Sequence, residues 1–320
     1  MSDSSGATRS RRTLPMRLAV LGVLAVVLIG GALGYYHYFL SRPMGAGPAG
    51  PAVPVEPFQK VWDAGPVVVL GLGDSVTAGY GASPGLSYVD RLVKNPPDEF
   101  PDMAGRNLSA VFPQLTVRNE SVSGSTSIDC IESQLPKLTP YPAETKGVVV
   151  MTTGGNDLIH MYGRIPPREG AMYGATLEQA KPWIANFESR INTILEQTTS
   201  LFPGGCHIFL AAIYDPTDGS GDAPAAGLPH WPDGVAILAE YNRIIAACAE
   251  RHPNVHIVDM HNAFLGHGVH CTRFWRTHYR SDDPHYWYYD NLEDPNDRGY
   301  DAIRRLFLNA MIGVYSGAAK

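Results

Sequence analysis

The sequence predicts an α/β fold, a three-layer α/β/α sandwich on a flavodoxin-like parallel sheet of about five strands, preceded by an N-terminal transmembrane helix. Three observations predict it. Val67–Leu70 and Gly147–Thr152 are short aliphatic runs without polar alternation, the pattern of strands buried on both faces of a parallel sheet. Between such runs lie stretches with apolar residues at helical spacing, clearest in Leu177–Leu201, where Trp183, Ile184, Phe187, Ile191, Ile194 and Leu195 recur on one face. Near the N-terminus, an apolar run from Leu18 to about Leu33 ends in Tyr35-Tyr36-His37-Tyr38-Phe39.

Taken in order, residues 1–17 form a basic tail carrying Arg9, Arg11, Arg12 and Arg17, expected to be cytoplasmic. Residues 18–40 approach the roughly 17–25 residues that span a bilayer, with basic residues before them and an aromatic belt after. The positive-inside rule then puts everything after Phe39 outside the cytoplasm. A cleaved signal peptide is the alternative, because Gly45-Ala46-Gly47 offers small residues, and cleavage would make the protein secreted. The apolar run is longer than the usual 7–15 of a signal, which favours a retained anchor. Residues 41–60, dominated by Pro, Gly and Ala, read as a tether. Residues 61–320 are long enough for one α/β domain with a substantial core, expected to be monomeric.

Within that domain the first strand starts at Val67. Helical pieces follow at Ser87–Val93 and Met103–Phe112, separated by Pro96-Pro97, and then a strand at Thr116–Val122. Ile128–Leu138 reads as a short helix and Gly147–Thr152 as a strand. After the long helix come a strand at His207–Ile213, a helix at Val235–Glu250, a strand at Val255–Asp259 and a closing helix at Asp297–Val314. There is no internal repeat. With 25 Lys and Arg against 31 Asp and Glu, the net charge of −6 does not indicate a nucleic-acid surface.

The chemistry concentrates at strand ends. The first strand runs into Gly73-Asp74-Ser75-Val76-Thr77-Ala78-Gly79-Tyr80-Gly81, where glycines allow a tight turn and a small hydroxyl residue projects from the sheet edge. The second ends in Ser121-Val122-Ser123-Gly124-Ser125-Thr126 and the third in Thr153-Gly154-Gly155-Asn156-Asp157. Each piece alone is compatible with a turn or a helix cap. Together and in this order they resemble the blocks of the GDSL, or SGNH, hydrolases, across essentially the whole domain. The resemblance implies the SGNH hydrolase fold, Ser75 as nucleophile, and an oxyanion hole made by the Ser75 and Gly124 backbone N–H groups and the Asn156 amide. Such donors stabilise the charge that develops on the carbonyl oxygen, and losing one typically costs about 10²–10³ in rate.

Serine also needs a base. The family supplies it from an Asp-x-x-His-Pro-Asn block before the last helix. Here that block reads Asn291-Leu292-Glu293-Asp294-Pro295-Asn296, with Asn291 in the Asp place and Asp294 in the His place. An aspartate of ordinary pKa near 3.9 is a weak base for a hydroxyl. Slightly upstream, Asp282 and His285 keep the Asp-x-x-His spacing, so His285 is the expected base and Asp282 its orienter, with Asp283 able to replace Asp282. Asp294, His270 and His278 are the other candidates for the base.

His267 and His270 form a close pair, but no third ligand follows at a familiar spacing, and the resembled family needs no metal; no metal or other cofactor is expected. Asp215, Asp218 and Asp222 lack the spacing of a calcium loop. The long aperiodic segment Tyr214–Asp233 is expected to cross the active-site face. The late aromatics, Phe274, Trp275, Tyr279, Tyr286, Trp287, Tyr288 and Tyr289, adjoin the expected base and offer a pocket lining. Four cysteines in a translocated domain favour disulfides. Cys206 and Cys248 belong to the side of the sheet away from the nucleophile, while Cys130 and Cys271 follow segments on the catalytic side; the expected pairs are Cys206–Cys248 and Cys130–Cys271. With the N-terminal span placing the domain outside the cytoplasm, the resemblance implies a membrane-anchored carboxylic ester hydrolase, an esterase or lipase acting through a Ser75 acyl-enzyme on a small-molecule ester, acylated sugar or lipid. The alternatives are an acyltransferase on an envelope sugar or lipid and a non-catalytic binding module that retains the fold. Fold alone does not choose the substrate.

Overall fold

A computed structural model describes residues 13–159, 169 and 172–315; Arg9, Arg11 and Arg12 of the expected tail and residues 316–320 lie outside this range. The chain divides between Arg42 and Pro43 into two units. The first is α1 (Thr13–Tyr35), continued by a π-helical turn at Tyr36–Leu40. Met16–Leu40 is an apolar stretch of 25 residues with none of its most apolar window buried, a length and polarity shared by transmembrane spans and signal anchors.

The second unit is built on five parallel strands: β1 (Pro66–Gly73), β2 (Gln114–Asn119), β3 (Lys146–Thr152), β4 (Cys206–Ala211) and β5 (Val255–Val258), in the order β2-β1-β3-β4-β5. Alternate residues of each central strand feed opposite cores, which is why these strands read as unbroken apolar runs. Val67 and Val69 enter the core shared with α3 (Tyr88–Val93), α8 (Met260–Phe264) and α9 (Asp297–Tyr315). Val68, Leu70 and Leu72 enter the core shared with α6 (Leu177–Ser200) and α7 (Gly234–Arg251). Between these lie three single-turn helices, α2 (Ser75–Ala78), α4 (Ser127–Asp129) and α5 (Gly155–Ile159), which follow β1, β2 and β3.

The helix expected over Met103–Phe112 is instead two 3₁₀ turns, Pro101–Met103 and Leu108–Ala110. Between them Gly105 turns left-handed at φ 77°, and the Asn107 side chain accepts the Ala110 N–H, so a new turn is capped where a helix would have continued. The strand expected at Thr116–Val122 lies at Gln114–Asn119; past its end the chain stays on β1 through Glu120 N–H to Gly71 O (2.9 Å) and Val122 N–H to Gly73 O (3.1 Å).

The Pro, Gly and Ala stretch is packed along α9, with Ala49 and Val53 buried. Its backbone finds fixed partners there: Ala49 N–H donates to Asp301 Oδ2 (2.9 Å), and Arg298 Nη1 donates to the carbonyls of Ala46 (2.7 Å) and Gly47 (3.0 Å). The expected disulfides are not formed, for all four cysteines are buried and none is bridged. Cys130 and Cys271 lie in the two separate cores, on opposite faces of the sheet. Cys206 and Cys248 share a core but hold different partners, Cys206 Sγ accepting from Asn254 and Cys248 Sγ donating to Ile244 O. Burial pushes the Cys130 thiol up to about 12 and the Cys248 thiol up to about 11, so both stay protonated at neutral pH.

Candidate active site

Ser75 is held by the turn that closes β1. Gly73 has φ 111°, and a Cβ there would stand 1.7 Å from Thr152 O on the neighbouring strand, so only glycine fits. The buried amide of Gln134 clamps this residue from both sides, accepting Gly73 N–H (2.8 Å) and donating to Gly73 O (2.7 Å). Asp74 caps α2, accepting from Val76 N–H (3.2 Å) and from the Thr152 hydroxyl (2.6 Å). The hydroxyls of Thr152, Thr77 and Tyr88 continue this network at 2.8 Å spacings. Burial pushes the Asp74 carboxyl up to about 7, with the nearby Asp294 and Asp157 adding to the rise against the Thr152 bond.

Asn156 stands on α5 at the end of β3, the strand paired with β1. Gly154, at φ 100°, lets the turn pass over the Phe187 ring, where a Cβ would come within 2.8 Å. Asn156 Nδ2 donates one N–H to Ser125 O (3.0 Å), which joins it to the turn holding Gly124 at φ 82°. Asp157 beside it is anchored by Ser127 N–H (2.8 Å), by the Ser127 hydroxyl and by Arg190 (3.3 Å), and burial raises its pKa. The backbone N–H groups of Ser75 and Gly124 meet no acceptor among the described residues. A cavity of about 130 Å³ opens on this corner; Ser75, Thr153 and Asn156 line it, Gly124 does not.

His285 and Asp282 do not line that cavity. His285 Nδ1 pairs with Asp283 Oδ1 (2.5 Å), and Asp283 also takes both Arg298 Nη2 bonds at 2.7 Å. The His285 ring lies against Gly45, where a Cβ would meet Cδ2 at 2.5 Å. Asp282 is exposed, so the carboxylate on His285 is that of Asp283. His270 is buried and paired to Asp222 (Nε2 to Oδ2, 3.0 Å). Asp215 accepts N–H groups of its own loop, Asp218 accepts those of Gly266, Gly268 and His270, and no cluster of three metal-ligating side chains occurs among the described residues. Tyr286, Trp287 and Tyr288 are core residues, whereas Phe274 and Trp275 are exposed. The 214–233 segment does border the cavity, through Tyr214, Leu228 and Trp231.

The group that faces Ser75 is Asp294. Its carboxyl is buried, and that burial raises its pKa; hydrogen bonding from Ser75 and from Asn291 pulls the other way. Oδ2 accepts Asn291 Nδ2 at 2.6 Å, while the buried Oδ1 has no hydrogen-bond partner among the described residues. Local sequence sets this up. Asn291 Oδ1 accepts the N–H groups of Glu293 (3.2 Å) and Asp294 (3.1 Å), forming an Asx turn, and Leu292 takes φ 67°. Asn296 then accepts from Arg298 and Gly299 N–H at the start of α9 and donates to Tyr286 O and Tyr288 O, so the Pro-Asn half of the block is a bracket for Asp294. Asn291 and Asp294 thus stand in the i, i+3 relation that the family gives to Asp and His, with the charge moved to the second position. Asp74, Gln134 and Thr152 were not singled out by sequence; Asp74 lies inside the motif, whereas Gln134 and Thr152 carry no local signal.

Residues 72–302 match the model of the GDSL-like Lipase/Acylhydrolase family. No curated protein matches the sequence. An extracellular lipase from Streptomyces rimosus superposes with a TM-score of 0.51 at 19% identity, over 76% of this chain and 99% of that one, which shows the fold. Phospholipase A1 from Streptomyces albidoflavus NA297 (TM-score 0.46, 20% identity, 78% and 99% covered) is also similar. So is a catalytic mutant of an acetylxylan esterase from Geobacillus stearothermophilus (TM-score 0.47, 19% identity, 78% and 96% covered). The motif order, the parallel sheet and the match over most of the domain lead to one conclusion, that this chain belongs to the GDSL-like lipase/acylhydrolase family.

Proposed function

We propose that the protein is a carboxylic ester hydrolase that forms an acyl-enzyme on Ser75, with Asp294 as the base. The observation that carries this reading is the buried Asp294 carboxyl facing Ser75 with Oδ1 unengaged. In the first half-reaction Ser75 Oγ attacks the ester carbonyl while its proton passes to Asp294. The carbonyl oxygen becomes an oxyanion held by the N–H groups of Ser75 and Gly124 and by the free N–H of Asn156 Nδ2. Collapse expels the alcohol, which takes the proton from Asp294. Water then repeats the sequence on the acyl-enzyme, giving up a proton to Asp294 and releasing the carboxylic acid and the Ser75 hydroxyl.

A carboxylate base differs from an imidazole in one respect. A histidine would become a cation beside the oxyanion; an aspartate becomes neutral, so a single negative charge moves from Asp294 to the substrate oxygen. The oxyanion donors therefore carry the whole of the stabilisation. Burial helps by raising the Asp294 pKa toward that of a useful base. The His285–Asp283 pair, directed at Gly45, is assigned a packing role in this reading.

The apolar Met16–Leu40 segment supports placement of this activity at a membrane, with the hydrolase domain outside the cytoplasm. A fluorophosphonate probe tests the chemistry: it labels the wild-type protein at Ser75, and Ser75→Ala abolishes labelling. Absence of labelling in folded wild-type protein would favour a binding module that keeps the fold.

A further inference from the structure

The cavity beside Ser75 is lined by a few polar residues and a larger set of apolar ones. Its polar lining beside Ser75 includes Asn156 and Thr153, whose buried hydroxyl has no hydrogen-bond partner among the described residues. The apolar lining is contributed by Leu158 of α5, Ile213 after β4, Leu228 of the 214–233 segment, and Val235 and Leu238 of α7.

Several polar groups around this apolar lining are engaged by the protein itself. Tyr173 OH donates to Pro229 O (2.8 Å), Trp231 Nε1 donates to Ala175 O (2.8 Å), and the Tyr214 hydroxyl donates to Glu293 O. The Asp215 carboxylate accepts from Thr217 N–H and hydroxyl and from Gly219 N–H. A sugar seated there would leave its hydroxyls without partners, a loss that buried polar groups do not tolerate, whereas an alkyl chain needs none.

We propose that this limb of the cavity holds the acyl chain, and that the preferred esters carry aliphatic acyl groups of several carbons over acetyl groups. The assignment rests on Ser75 as the nucleophile, because that residue fixes which end of the cavity meets the carbonyl. Each buried methylene strengthens binding by about fourfold, so hexanoyl esters exceed acetyl esters by about two orders of magnitude if the whole chain is buried.

The test uses the full-length chain and p-nitrophenyl acetate, butanoate and hexanoate. Expected is a kcat/KM that climbs with chain length, and a hexanoate-to-acetate ratio that falls at least tenfold in Leu238→Trp, which fills the limb from α7. Val235→Trp, at a partly exposed position that does not burden the core, is the second variant and lowers the same ratio. A wild-type ratio near or below one overturns the acyl limb while leaving Ser75 chemistry in place. If no ester is turned over, calorimetric binding of methyl hexanoate against methyl acetate to Ser75→Ala decides separately. Tighter binding of hexanoate, weakened by Leu238→Trp, supports the limb even though the catalytic reading has failed, and equal affinities overturn it.

Discussion

Replacing Asp294 by Asn keeps the shape of the side chain and removes the base. In the wild-type protein Oδ2 accepts from Asn291 at 2.6 Å, and in the proposed mechanism the unpartnered Oδ1 takes the Ser75 proton. An amide at this position must keep its oxygen toward Asn291, because an N–H there would oppose the Asn291 N–H. Its NH₂ therefore points at Ser75 Oγ and donates to the hydroxyl it should deprotonate. General-base assistance is worth about 10²–10⁴ in rate, or roughly 2.7–5.5 kcal/mol of barrier at 1.36 kcal/mol per decade. Hydrolysis of an activated ester by Asp294→Asn should fall by that factor, with little change in thermal midpoint, since the bond to Asn291 survives. His285→Ala should stay within about threefold of wild type. The double variant Asn291→Asp/Asp294→His restores the pattern common to the family and should regain much of the lost activity, with a kcat/KM limb near the ordinary histidine pKa of about 6.5. A wild-type rate in Asp294→Asn together with a hundredfold loss in His285→Ala would refute this assignment and return the base to the upstream histidine.

Three further outcomes are expected. Asn156→Ala should lower kcat about 10²–10³-fold with a smaller effect on KM, measured by steady-state kinetics on the same ester, because the amide meets the oxyanion and not the ground state. Asp74, raised from 3.8 to about 7 in the folded chain, binds a proton that the unfolded chain has released between those values. Its share of stability is therefore full below pH 3.8 and is lost as pH rises toward 7, by up to about 4 kcal/mol at 1.36 kcal/mol per unit; Asp74→Asn should flatten the decline of the thermal midpoint over this window. Finally, a thiol reagent should find no reactive cysteine in the native protein and four after denaturation without reductant, in keeping with four buried, unbridged thiols.

The sheet was legible in the sequence because its strands are buried on both faces, and Val67–Leu72 and Gly147–Thr152 carry that burial as unbroken apolar runs. Long helices were legible for the complementary reason, one apolar stripe each. The failures share a cause, namely dependence on partners distant in sequence. Ala46–Val53 has the composition of a flexible linker, yet Asp301, Arg298 and Asn309 supply its backbone bonds from about 250 residues away. Cysteine count argues for bridges, but which core a cysteine enters is settled by strand parity and helix packing. At the site, Ser75 and Asn156 were readable from motifs at strand ends. The base proposed here, Asp294, was set aside in the sequence on its ordinary pKa, a value that burial raises and a linear reading does not see.

The central claim is that Ser75 carries the acyl group. Rapid mixing of the protein with excess p-nitrophenyl ester, followed by acid quench and intact-mass and peptide analysis, tests it most directly. The account predicts an initial burst of p-nitrophenol approaching one equivalent and an acyl adduct on the peptide holding Gly73-Asp74-Ser75, absent from Ser75→Ala. Turnover that persists in Ser75→Ala, or an adduct mapped to another residue, would contradict it.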